Sequence, residues 1–229
     1  MSLKHLAIIP DGNRRWAKAH LLLPWQGHDE GAKRFWEVAD AMGGSETSHL
    51  TFWGGSYSNL RDRTETEVDF LFKLFKQELT DSSVVDKLHK NQIAFRLIGE
   101  WKDFNSDPEL VDLINNLEEQ TKNYQAHNLT ILFGYDGQRE MLSAISKLRD
   151  SGEEINSENL QNTLWTKDLP EVDLVIRTGG EPHWSAGFMM WLTANSQFYF
   201  AETLWPDFNT EELKKALEDF KSRERRLGK

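Results

Sequence analysis

The sequence predicts an α/β protein: a single domain with a mostly parallel central sheet flanked by helices. Three observations lead there. Short strand-like apolar runs alternate with longer segments of helical periodicity from one end of the chain to the other, the pattern that strand–helix–strand crossovers produce. No linker, internal repeat or low-complexity tract divides the 229 residues, a length that one α/β sheet can occupy undivided. The first strand-like run stops at an acid, Asp11, followed by Gly12 and the opening of a helix, which is how such folds turn from strand to helix.

Strand-like runs fall at 6–10, 49–53, 93–98, 129–133, 174–177 and 197–200, and helical periodicity at 13–20, 28–42, 65–88, 108–127, 138–150 and 210–226. At the first junction Gly12 lets the backbone turn, and Asn13 to Arg15 open a helix whose free N–H groups face the same spot. The C-terminal edge of a strand beside a helix N-terminus is where α/β proteins place anionic ligands. An acid among phosphate-binding groups makes sense with a divalent cation between them; alternatively, Asp11 simply caps the helix. Gly27 and His28 open the second helix, where the histidine reads as a capping or surface residue. Ser56, Ser58 and Asn59 sit in a Gly-containing turn and have the chemistry of ordinary turn residues. The helix from Glu65 is apolar on one side (Val68, Leu71, Phe72, Phe75, Leu79), so it walls either a core or a hydrophobic channel. Phe70, Phe72 and Phe75 are candidates for the floor of such a channel. The stretch 150–157 reads as a polar connection. Arg177 ends the fifth strand before Thr178-Gly179-Gly180, where glycines permit close backbone approach and arginine offers a fork for phosphate oxygens. A salt bridge from Arg177 to Glu181 or a neighbouring acid is the other reading. Arg223 to Arg226 suit the dipole at the end of the last helix.

Composition excludes several classes. A formal charge of −10 argues against a nucleic-acid binder. The absence of cysteine rules out disulfides, thiolate metal sites and a cysteine nucleophile, and it fits a cytoplasmic location. No apolar stretch approaches the ~20 residues of a membrane span, and no signal-peptide pattern is expected before the first strand. Nine tryptophans and thirteen phenylalanines exceed what so polar a chain needs for its surface; they supply a core and could line an apolar ligand pocket. P-loop, dinucleotide-binding and nucleophile-elbow motifs are all missing.

Further segments follow in chain order: Gly27-His28-Asp29-Glu30-Gly31, then Gly54-Gly55-Ser56-Tyr57-Ser58-Asn59-Leu60-Arg61-Asp62-Arg63, then Arg177-Thr178-Gly179-Gly180-Glu181. Leu204-Trp205-Pro206-Asp207-Phe208 and a terminal Arg223-Glu224-Arg225-Arg226-Leu227-Gly228 complete the set. Together with Asp11-Gly12-Asn13-Arg14-Arg15-Trp16, they make the chain resemble the cis-prenyltransferases, typified by undecaprenyl diphosphate synthase, over essentially its whole length.

The resemblance implies a hydrophobic tunnel, a homodimer, Mg²⁺ as cofactor, and condensation of an allylic diphosphate with isopentenyl diphosphate into a cis-prenyl diphosphate. It also implies roles. Asp11 would handle Mg²⁺ and help the diphosphate leave. Gly12, Asn13, Arg14 and Arg15 would hold the allylic diphosphate, and Trp16 would close the pocket. His28 would lie near the leaving group. Ser56 and Asn59 would orient substrates and assist proton removal, in a substrate-binding loop with Tyr57, Ser58 and Leu60. Arg63 would bind phosphate, allowing one extra residue in that loop. Arg177, His183 and Ser185 would belong to the isopentenyl diphosphate site, and Arg226 and Gly228 would reach the partner's active site across the dimer. A long product would imply peripheral membrane contact.

Departures from the family pattern concern charge. Pro24 stands where a basic residue is usual, His183 where an arginine would grip the acceptor, and Gln197 where a glutamate helps hold Mg²⁺. A neutral amide is a poor Mg²⁺ ligand beside a carboxylate. Each lost charged hydrogen bond weakens phosphate binding by roughly 1.5–3 kcal/mol. An acceptor other than isopentenyl diphosphate is therefore the alternative expectation: dimethylallyl diphosphate, in a head-to-middle, lavandulyl-type condensation. A non-catalytic scaffold subunit would lack the aspartate and its arginines, whereas this chain keeps Asp11, Arg15, Asn59 and Arg177.

Overall fold

The computed structural model describes residues 2–43, 45–105 and 107–223. One all-parallel sheet contains β1 (His5–Ile9), β2 (His49–Gly55), β3 (Ile93–Ile98), β4 (His127–Phe133), β5 (Leu174–Arg177) and β6 (Gln197–Phe200), in the order β3-β4-β2-β1-β5-β6. All six strand-like runs of the sequence are strands. Parallel neighbours need crossovers, and helices supply most of them: α1 (Asn13–Ala19), α2 (Pro24–Met42), α3 (Tyr57–Asp62), α4 (Glu65–Thr80), α5 (Ser82–Lys90), α6 (Pro108–Thr121), α7 (Gly137–Ser151), α8 (Ser157–Thr163) and α9 (Thr210–Ser222).

The two-residue period of a strand sorts the apolar side chains into two cores. Leu6 and Ile8 of β1 and Leu174 and Ile176 of β5 share a core with Phe35 of α2, Leu71 of α4, Ile114 of α6 and Leu213 of α9. Ala7, Ile9 and Val175 face the other way, under Leu169, Phe188, Met189 and Leu192. The strand order leaves a crevice. β1 leads to β2 on one side and β5 leads to β6 on the other, so the chain diverges above the C-terminal ends of β1 and β5. Asp11 and Arg177 stand at that point.

Helix boundaries depart from the periodicity for identifiable reasons. α2 starts at Pro24 rather than 28: proline suits the first helical position, and Gln26 Oε1 accepts from the Leu23 N–H at 3.0 Å. His28 consequently lies inside the helix and does not cap it. The segment 65–88 is two helices, because the Asp81 carboxylate accepts from the Ser83 N–H at 2.8 Å and caps α5. α6 ends at Thr121, whose hydroxyl donates to Leu117 O and accepts from the Phe95 N–H of β3. The turn at 56–59 and the end of the polar stretch near 157 each open a short helix, α3 and α8, capped by Ser56 and Asn156. Six or seven residues are too few to show a helical period. Among the described residues, no helix is long and apolar enough to cross a membrane.

Candidate active site

Asp11 does not cap α1. The residue in that position is Gly12, at φ +114°, with no side-chain cap, and a Cβ there would lie 2.7 Å from Leu204 Cδ2. The Asp11 carboxylate is free to turn into the crevice, where one oxygen accepts from Arg177 Nη2 at 2.8 Å and the other from Arg15 Nη2 at 3.1 Å. Its backbone is clamped by Thr178: the Asp11 N–H donates to Thr178 Oγ1 at 2.9 Å, and that hydroxyl donates to Asp11 O at 2.8 Å. Sequence reasoning missed Thr178, although its place beside Arg177 in the motif was the available signal. Gly179, at φ +91°, lets Arg15 approach, since a Cβ would lie 2.5 Å from Arg15 Nη2. Arg177 is buried, donates from Nη1 to His183 O at 2.9 Å, and keeps Nε without a partner. Its ion partner is Asp11; Glu181 pairs with Arg15 instead, at 3.7 Å.

A second group, of two arginines and a histidine about one carboxylate, sits beside this one. His28, Arg63 and the more exposed Arg14 surround the buried Oε1 of the partly buried Glu67 carboxylate, at 3.7, 3.3 and 3.9 Å. Burial, reinforced by Arg63 and then Arg14, pushes the His28 pKa down to about 3, so its ring is neutral. Burial also lowers the Arg63 pKa, with Glu67 opposing and Arg14 adding to the fall. Glu67 was not singled out by the sequence; its backbone N–H donates to Thr64 Oγ1, which caps α4.

α3 presents a third group. Ser56 Oγ accepts from the Asn59 N–H at 2.9 Å and lies 3.0 Å from Ser58 Oγ. Asp136 accepts from the Tyr57 N–H at 3.2 Å, and its pKa is raised chiefly by burial. Ser56, Ser58 and Asn59 therefore reach the same cavity as Asp11.

That cavity has a volume of about 1020 Å³ and joins polar and apolar walls. Asp11, Gly12, Asn13, Arg14, Arg15, His28, Asn59, Arg63, Arg177 and Ser185 line its polar part. Phe35, Phe52, Leu74, Phe75, Phe95 and Phe133 are among its apolar lining. Along α2 it is lined from Pro24 to Trp36, a helical rise of about 18 Å. Trp36 Nε1 donates to Glu78 Oε2 at 2.6 Å, joining α2 to α4 where both line the cavity. The helix from Glu65 thus walls core and cavity together. Phe75 lines the space, while Phe72 packs on Phe133 and Phe70 lies near Trp25.

Not every expected residue arrives. Trp16 stacks on His20 and donates to Asp207 at 2.8 Å, away from the cavity lining. Tyr57 turns to Arg139 and Phe104, and Leu60 is in the core. His183 reaches Arg177 through its carbonyl; its half-exposed ring lies 3.6 Å from Glu181. Gln197 pairs with Leu174 at the start of β6, three residues before the Arg177 end of the sheet, about 10 Å along the strand. It therefore stands at the opposite sheet edge from Asp11. Arg226 and Gly228 lie outside the described residues. No group of three or more His, Asp or Glu side chains arranged to hold a metal occurs among the described residues.

An arginine-flanked acid at the crevice, opening onto a long and largely apolar cavity, has the charge and shape to take an anionic head joined to an apolar tail. Comparison with known proteins agrees. Residues 9–228 match the prenyltransferase family model described as "Putative undecaprenyl diphosphate synthase". An isoprenyl transferase of Rickettsia prowazekii is 36% identical over 229 residues, covering 100% of this chain and 99% of that protein. One from Thermus thermophilus is 34% identical over 99% and 89% of the two chains. Among solved structures, lavandulyl diphosphate synthase from Lavandula x intermedia, in complex with dimethylallyl diphosphate, superposes with a TM-score of 0.89 at 29% identity, covering 99% and 98%. A probable undecaprenyl diphosphate synthase from Campylobacter jejuni gives 0.80 at 29% identity with full coverage of both chains. The chain belongs to the undecaprenyl diphosphate synthase, or cis-prenyltransferase, family and is an enzyme of the isoprenyl transferase class.

Proposed function

We propose that the enzyme condenses an allylic prenyl diphosphate with isopentenyl diphosphate to give a cis-prenyl diphosphate, with its hydrocarbon chain held in the apolar cavity. The observation that carries this reading is the Asp11 carboxylate held between Arg15 and Arg177 at the polar part of that cavity. Diphosphate departure leaves an allylic cation and a strongly anionic leaving group, and preorganised cations stabilise that separation of charge. Arg15 and the Arg14–Arg63 pair hold the leaving diphosphate; Arg177 with Ser185 holds the acceptor. Once the acceptor double bond attacks, a proton must leave, and Asn59, held by Ser56, is positioned to help orient that step.

Mg²⁺ fits this site as a complex with diphosphate. Asp11 is the carboxylate available to it, and Mg²⁺ commonly binds through one or two carboxylates with substrate phosphates and water. When bound, it supplies charge neutralisation for the departing diphosphate. A homodimer and a cytoplasmic setting complete the proposal, resting on the family alone.

A second reading has its own support: the acceptor is dimethylallyl diphosphate and the product is branched. The lavandulyl diphosphate synthase structure superposes with a TM-score of 0.89 against 0.80 for the Campylobacter jejuni protein, at the same 29% identity. The half-exposed His183 ring, standing where the family pattern has an arginine, also withholds charge from the acceptor side. Product analysis by mass spectrometry decides between the two. Purified enzyme with Mg²⁺ is given dimethylallyl, geranyl, farnesyl or geranylgeranyl diphosphate, each with and without isopentenyl diphosphate. Products that need isopentenyl diphosphate and grow in five-carbon steps establish elongation, and products from allylic diphosphates alone establish the branched reaction. No product from any pairing defeats both.

A further inference from the structure

Glu67 stands behind the cavity wall: Arg14, His28 and Arg63 line the cavity and Glu67 does not. Its Oε1 is close to all three, yet Glu67 Oε1, His28 Nε2 and Arg63 Nη1 are each buried without a hydrogen-bond partner. Glu67 Oε1 still has its ion pairs, but Arg63 Nη1 is a buried charged donor with nothing to donate to. Such a group is costly and, beside the unpartnered His28 ring nitrogen, marks a site that something else completes. The charges say what kind of group that is. Two guanidinium groups and a neutral imidazole outweigh one carboxylate, so the missing partner is an anion on the cavity side.

We propose that Glu67 is a positioning residue for the diphosphate site. It is a counter-charge that holds Arg14 and Arg63 side by side against their repulsion, and keeps Arg63 and His28 aimed into the cavity without touching substrate. The inference rests on the diphosphate reading above. Its competitor is a purely structural role, because the Glu67 N–H donates to Thr64 Oγ1 at 3.3 Å in the opening turn of α4. The carboxylate itself, however, is turned toward the cations.

The test is a cycle on the full chain: wild type, Glu67→Gln, Arg63→Gln and the double variant. Binding of inorganic diphosphate is measured by calorimetry, beside steady-state kinetics and melting temperature. Glu67→Gln is expected to bind diphosphate at least as tightly as wild type, because an opposing charge is gone. Its kcat should fall about tenfold while KM for the allylic diphosphate does not rise. Glu67→Asp, which keeps the charge, should recover part of that loss. With Arg63→Gln already present, Glu67→Gln should change diphosphate affinity less than about twofold, since coupled residues are not additive. A lowered melting temperature with kinetics and affinity unchanged overturns the proposal, as that is the signature of a purely structural ion pair. Additive losses of diphosphate affinity in the two single variants overturn it as well. If wild type turns over no allylic diphosphate, the functional reading fails, and the calorimetric cycle alone decides the role of Glu67.

Discussion

At the scale of single residues, the site is organised by what each side chain is prevented from doing. Gly12 takes the cap position of α1, so Asp11 is left to meet Arg15 and Arg177. Thr178 fixes the Asp11 backbone through two hydrogen bonds, so the main chain that carries the carboxylate is held in place. Asp11→Asn keeps the volume and an acceptor for Arg177 while removing the charge. Turnover is expected to fall at least about 100-fold, the size of effect seen when one preorganised electrostatic group is lost. Circular dichroism and melting temperature should remain close to wild type. Residual activity within tenfold of wild type would falsify the role of that charge. The motifs made Asp11, Arg15 and Arg177 legible, because chemistry-bearing residues at strand ends stand out in a sequence. Thr178 and Glu67 did not stand out, because their significance lies in contacts across the fold rather than in residue type.

At the scale of elements, caps decide what periodicity could not. Ser56 and Asp81 each accept from a backbone N–H and start a helix where the apolar pattern shows a turn or a continuous helix. α3 is six residues long and held at its start by Ser56, with Asp136 accepting the Tyr57 N–H. Ser56→Ala is expected to cost about 1 kcal/mol through the lost cap, seen as a melting temperature lower by about 2–4 °C. Because Asn59 stands on that turn, kcat should drop too; an altered melting temperature with unaltered kcat would show that the turn is only structural. The boundaries of α2 and α6 were misread for the same kind of reason. Pro24 has the fixed φ that suits a first helical position, and the Thr121 hydroxyl is taken up by Leu117 O and the Phe95 N–H of β3, effects that outweigh a few residues of pattern.

At the scale of the whole molecule, two consequences follow from burial. The apolar cavity runs beside α2 and α4, with Ala32 on its wall eight residues beyond Pro24, about 12 Å along the helix. Ala32→Trp should obstruct that space. Diphosphate binding by calorimetry is expected to stay unchanged, while kcat/KM for the longest allylic donors falls more than that for dimethylallyl diphosphate. A uniform loss across donors would mean that the tail does not lie there. The second consequence concerns pH. His5 is buried, with Nδ1 donating to Pro170 O, so Nε2 accepts from the Thr51 hydroxyl. Burial pushes its pKa down to about 4, as it pushes that of His28 to about 3. Below the ordinary histidine pKa of 6.5 the unfolded chain takes up protons that the folded chain refuses, so what these two histidines contribute to stability is full above that pH. It should fall by about 1.4 kcal/mol per pH unit per histidine as the pH drops, until each folded-state pKa is reached. His5→Asn keeps a donor for Pro170 O without a titrating ring, so urea midpoints between pH 4 and 6.5 should decline less steeply. An unchanged slope counts against His5 as a source.

The sequence by itself determined the six strands, the α/β class, the family and the acid and arginines of the site. Strand hydrophobicity and motif chemistry are local properties, carried by neighbouring residues. Only the tertiary structure decided which of those residues meet. It turned Trp16, Tyr57 and Leu60 away from the cavity, set Gln197 at the far edge of the sheet, and placed Glu67 between three basic side chains. The physical reason is that strand register, helix capping and the divergence of β1 and β5 are settled between segments far apart in the chain. No spacing along the sequence records which side of a helix will face that crevice.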